Sequence, residues 1–203
     1  MINDNLVAGS QVLPFYLADG SSDAALIRGR MASVGAVAST IIERHEYPDL
    51  VGRLQAEALA LAACLSSTLK FDGVFTLQAK GDGLVRILFA DITEAGDLRG
   101  YCALNEDQSQ LAALQLAQPN DDAVHIVPLM GGGYIAFTVD DDATGGRYQG
   151  IVELDGPHLS DAAMRWFENS EQTDTMVLCA AEKGSSGWRA LALILQRIAT
   201  EGG

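Results

Sequence analysis

Between Leu69 and Phe75 the spacing of apolar residues changes from three or four to two, and that change dictates a mixed fold. Upstream, Leu50, Leu54, Ala58, Leu61, Leu65 and Leu69 recur at the spacing of one helical face, which predicts a long amphipathic helix. Pro48 suits its first turn, where proline forfeits no needed amide bond. The alanines at 56, 58, 60, 62 and 63 let neighbouring backbones approach closely. Downstream, Phe75, Leu77 and Ala79 alternate with Thr76, Gln78 and Lys80, the pattern of a half-buried strand. Gly81-Asp82-Gly83 predicts a tight hairpin turn with positive φ angles. Residues 84–92 follow as a strand apolar on nearly both faces, hence central. After a turn at Gly96, residues 98–104 complete an antiparallel meander.

The flanks are less strongly patterned. The first twenty residues have little periodicity, and residues 21–33 read as a strand leading into a helix over 34–44. A short helix is expected at 111–116. Strands at 134–139 and 147–154 form a second hairpin around the turn 140–146. Leu159, Ala162, Ala163, Trp166 and Phe167 mark another helix, and residues 175–181 another strand. Residues 183–187 have linker composition. The fold class is α/β in the α+β sense: antiparallel sheets with hairpins, backed by helices.

Composition narrows the function. The 203 residues suffice for one large domain, and 48% hydrophobic content fits a compact core. Thirteen Lys plus Arg against 27 Asp plus Glu leave a net charge of −14, with no basic stripe to offset it, which disfavours nucleic acid as a partner. The amino terminus lacks the basic and apolar regions of a secretory signal. The longest apolar stretch, 58–65, falls short of the roughly 20 residues that span a bilayer. A cytoplasmic protein with no membrane partner is expected.

Candidates for chemistry each have a plainer reading. Cys64, Cys102 and Cys179 are odd in number and far apart, unlike a disulfide framework or a local zinc site, and His45, His125 and His158 are equally scattered. Buried, reduced structural cysteines are expected. Asp140-Asp141-Asp142 lacks the ligand spacing of a calcium loop and reads as a solvated hairpin tip. Met130-Gly131-Gly132-Gly133 offers amides to an anion, yet it precedes a strand and reads as a chain reversal. Ser66-Ser67 and Ser185-Ser186 lack a nucleophile elbow. A small-molecule enzyme using a thiol such as Cys179, or carboxylates among Glu153, Glu168 and Glu171, stays open as the alternative. No catalytic or metal residue is assigned.

Two blocks carry more information: residues 68–83, TLKFDGVFTLQAKGDG, and residues 147–154, RYQGIVEL, followed by Ser170-Glu171-Gln172. Together with His45-Glu46-Tyr47-Pro48, Arg99-Gly100 and Gly133-Tyr134, their order and spacing resemble the core of the Hsp33 family of bacterial redox-regulated holdase chaperones. The resemblance implies a core domain over residues 1–182 and the start of a linker region over 183–203. It implies an ATP-independent chaperone, not an enzyme, that binds unfolded or misfolded proteins under oxidative or heat stress. The family senses oxidants through four late cysteines, C-x-C and then C-x-x-C, which hold zinc when reduced. Neither motif occurs here. The chain is then either a fragment, the favoured expectation, or a member without the switch; no cofactor of its own is expected, zinc belonging to the missing C-terminal module.

Client capture is expected on exposed apolar surface. The candidate residues are Trp188, Leu191, Leu193, Ile194 and Leu195. A third reading, a purely structural interaction domain that forms a homodimer through an edge strand, also stays open.

Overall fold

A computed structural model of the chain describes residues 10–18, 20, 25–105, 111 and 124–198. In chain order, β1 (Gln11–Leu17) and β2 (Ile27–Val34) pair with each other and lead into helices α1 (Ala36–Glu43) and α2 (Asp49–Ser66). The period-two segment gives the meander β3 (Gly73–Gly81), β4 (Val85–Thr93) and β5 (Leu98–Leu104). After α3 (Ile126–Met130) come the hairpin β6 (Gly133–Asp141) and β7 (Gly146–Glu153), helix α4 (Leu159–Glu171), and the hairpin β8 (Thr175–Gly184) and β9 (Gly187–Arg197). Hydrogen bonding sorts the strands into one sheet of order β1-β2-β9-β8 and a second of order β5-β4-β3-β6-β7, antiparallel throughout. This is the expected class of antiparallel hairpin sheets with helices. Strand β3 takes the centre of the larger sheet, and β4 stands beside it, flanked on both sides. The helix expected at 111–116 lies outside the described residues, Leu111 apart.

Helix α2 organises the interior. Its 18 residues span about 27 Å, and from Leu50 to Ser66 every residue but Arg53 is buried. The expected amphipathic helix is instead enclosed on all sides, because it packs against strands of both sheets. Ala56, Ala58, Ala60 and Ala62 are fully buried and keep those strands close. Two of its buried polar side chains are used as ties. Gln55 Nε2 donates to the Phe89 carbonyl at 3.1 Å, and Gln55 Oε1 accepts from Cys102 Sγ. Glu57 Oε1 accepts the Val124 amide at 2.9 Å. Pro48 stands one position earlier than expected, as the N-cap residue.

Two turns differ from expectation. Neither Gly81 nor Gly83 has a positive φ; each is required by close approach, since a Cβ would run into the carbonyl oxygens of Met130 and Leu129. The glycine segment 131–133 folds back over that hairpin tip, with Gly83 N–H donating to the Met130 carbonyl at 2.8 Å. Residues 183–187, which have linker composition, form the β8–β9 turn, with Gly187 at φ 100°. The structure draws no boundary at 182/183. That position lies inside β8, and the segment read as a nascent linker is β9, paired with β2 on one side and β8 on the other. Hairpins and linkers share a composition, and β2 lies near the opposite end of the chain, where no local pattern reaches.

Candidate functional site

Strand β9 sends its alanines inward and its leucines outward. Its inward set is Trp188, Ala190, Ala192, Ile194 and Gln196; its outward set is Arg189, Leu191, Leu193, Leu195 and Arg197. The alanines are what allow α2 to run against this sheet. Neighbouring strands extend the outward set into rows. Leu193 stands between Leu178 of β8 and Met31 of β2, with Leu13 of β1 beyond. Leu195 stands between Met176 and Gly29, and the Phe15 ring lies over Gly29, where a Cβ would overlap it. Met176 is 53% exposed, Leu178 54% and Leu13 41%, while Leu193 and Leu195 are half-buried among them.

Charge closes both ends of this apolar face. At one end Arg189 pairs with Glu182 at 2.6 Å; at the other Arg197 pairs with Asp174 at 3.7 Å. Beside the second pair lies a cavity of about 590 Å³, lined by Leu26, Ile27, Met176, Leu195 and Ile198 together with Glu168, Asp174 and Arg197. The five candidate residues are therefore divided by the period of the strand. Leu191, Leu193 and Leu195 share the outer face. Trp188 is 4% exposed against Gly52 of α2, and Ile194 is 1% exposed, so neither is available at the surface. Sequence reasoning missed Leu13, Phe15, Met31, Met176 and Leu178. Met176 and Leu178 carry a signal, two positions apart in a strand already foreseen. The β1 residues carry none until β1 is paired.

The other candidates for chemistry are held in structural roles. Asp82 Oδ1 accepts the Gly132 amide at 2.9 Å, so the glycine segment already binds a carboxylate of its own chain. Asp141 Oδ1 caps the turn through the Ala143 amide at 3.0 Å. The Ser66 and Ser67 hydroxyls donate to the carbonyls of Ala63 and Cys64 at the end of α2. His45 stacks on Tyr47, ring centroids 5.1 Å apart.

Cys64, Cys102 and Cys179 sit on α2, β5 and β8, each buried. Burial pushes the Cys64 thiol up to about 12 and raises Cys102 and Cys179 as well. A zinc site needs clustered thiolates, and burial disfavours the thiolate form of all three cysteines. Among the described residues no three His, Cys, Asp or Glu side chains are placed to hold a metal ion, and no helix is long and apolar enough to cross a membrane.

Comparison with known proteins follows the fold. The family model described as "Hsp33 protein" matches residues 15–202. The chain is 37% identical over 177 residues to the 33 kDa chaperonin of Caulobacter vibrioides strain NA1000, covering 85% of this chain and 57% of that protein. It is 35% identical over 173 residues to the 33 kDa chaperonin of Ectopseudomonas mendocina, covering 85% and 53%. The chain thus spans little more than half the length of the curated relatives it matches. A crystal structure of the 33 kDa chaperonin from Thermotoga maritima shares the fold, with a TM-score of 0.70 over 91% of this chain and 60% of that one, at 19% identity.

Proposed function

The chain belongs to the Hsp33 family, and from that premise we infer that it is the core of an ATP-independent holdase that captures unfolded polypeptides on the outer face of the β1-β2-β9-β8 sheet. One observation carries the reading. Strand β9 spends its alanines on the core and directs three leucines outward, into a face continued by Met176 and Leu178. Burying one leucine is worth about 2 kcal/mol, so the three outward leucines form a face whose removal from water is favourable. A contiguous apolar face ringed by charge is a protein-interaction surface, and an extended chain with scattered apolar side chains is the ligand it suits. No ATP is needed, because capture requires only that the client's apolar groups leave water.

Redox control, which the family resemblance implies, needs clustered reactive thiols, and Cys64, Cys102 and Cys179 do not supply them. The reading therefore rests on the family and the face, and not on the thiols. Its test is light scattering of a heat-denaturing client with the chain in several-fold excess. Suppression is expected, and Leu178→Asp combined with Leu193→Asp abolishes it. Undiminished suppression by that double variant, with its fold intact, would assign capture elsewhere.

A further inference from the structure

The cavity beside the Asp174–Arg197 pair is more than the end of an apolar face. Its volume of about 590 Å³ is that of a ligand pocket, and it opens where the outer face stops, since Met176 and Leu195 line both. Its walls are fixed by the ladder. The Ile198 amide donates to the Leu26 carbonyl at 2.8 Å, and the Arg197 amide to the Asp174 carbonyl at 3.1 Å. Gln196 is 3% exposed and ties three strands together: its Oε1 accepts from Arg28 Nε at 2.9 Å, and its Nε2 donates to Thr175 Oγ1 at 3.3 Å. The charged groups here are not equally engaged. Arg197 pairs with Asp174 and Arg28 is held by Gln196, whereas Glu168 forms no ion pair among the described residues. Glu168 stands in the last turn of α4, which contains no basic residue, so the negative end of that helix lacks a cation.

We propose that this cavity takes the basic side chain of a client lysine or arginine, while the client's apolar side chains lie along the outer face. The proposal rests on the holdase reading and names the class of segment held: unfolded chain in which a basic residue stands beside apolar ones. Both parts of such a side chain are matched. Its methylene stem needs apolar walls, which Leu26, Ile27, Met176, Leu195 and Ile198 supply. Its charged end needs a carboxylate, and Glu168 gives one, with the negative end of α4 behind it. An acidic side chain is disfavoured, because the two arginines nearby are already engaged and the chain carries −14. Glu168 is exposed, so water and salt weaken the pairing, and it confers a preference of about threefold, not the main contact.

The test titrates the full chain against a short fluorescein-labelled peptide that alternates leucine with serine around one arginine. A twin peptide carries citrulline there, which has the same shape and no charge. Binding is read by fluorescence anisotropy at about 0.15 M salt. The expected result is roughly threefold tighter binding of the arginine peptide by the unaltered chain, and equal binding of the two by Glu168→Gln. Asp97→Asn removes one charge from an exposed turn of the larger sheet and is expected to keep the preference. Equal binding of the twins by the unaltered chain overturns the proposal. So does a preference that survives Glu168→Gln, or one that Asp97→Asn abolishes as well, because overall charge would then draw the peptide. Light scattering of a heat-denaturing client, run in parallel, separates the two readings. Suppression without any arginine preference overturns the cavity proposal and leaves the holdase reading standing. No suppression at all removes the holdase reading, and the proposal with it.

Discussion

Leu193 and Ile194 are neighbours in sequence that answer to different requirements. Ile194 is 1% exposed on the face toward α2, so Ile194→Ala leaves a cavity and costs about 2–5 kcal/mol in a urea titration. Leu193→Asp, on the half-buried outer face, changes stability by about 1 kcal/mol but lowers client suppression severalfold. The reverse pattern, with Ile194→Ala impairing capture while still folded and Leu193→Asp leaving it intact, would contradict the assignment of faces. At this scale the sequence disclosed an apolar segment but not its division, because β9 is apolar on both faces and lacks the usual apolar–polar alternation. The cysteines give a separate prediction. Cys64 has its pKa raised by burial from 9.0 to about 12, so the unfolded state loses its proton first as pH rises. The native state then holds more protons than the unfolded one, and stability falls. The contribution is whole below pH 9 and is lost between about pH 9 and 12, which thermal melts across that window will show as a declining Tm.

Among elements, β9 is the strand on which the smaller sheet depends, since it alone joins β2 to β8. A chain ending at residue 182 loses both ladders and uncovers α2, whose buried alanines and leucines face that sheet. The shortened chain is predicted to lack a cooperative urea transition by circular dichroism; a transition like that of the full chain would show the second sheet to be dispensable. What was legible at this scale was local. The switch in apolar period at Leu69 to Phe75 placed α2 and the β3–β4–β5 meander, and the turn residues at 140–146 placed the second hairpin. What was not legible was pairing at a distance. Strand β1 is exposed along most of its length and has no periodicity of its own, and it is a strand only because β2 lies beside it. The encasement of α2 was hidden for the same reason, since its pattern of leucines does not say how many sheets will pack on it.

For the whole molecule, the charge of −14 and the apolar face pull in different directions. The charge keeps copies apart and draws cationic clients at low ionic strength; the face binds by exclusion from water, which salt does not screen. Suppression of aggregation is therefore predicted to persist at about 0.5 M sodium chloride, with light scattering as the readout. Loss of suppression there would make charge the principal contact.

The outer face is tested most directly by photo-crosslinking. A benzophenone side chain is placed at Leu178 or Leu191 on the smaller sheet, and at Gln78 on the outward side of the larger sheet as the comparison, and the full chain is irradiated while a client unfolds. Adducts with the client at Leu178 and Leu191, and none above background at Gln78, are the predicted result. Adducts at Gln78 with none at Leu178 or Leu191 would contradict the account.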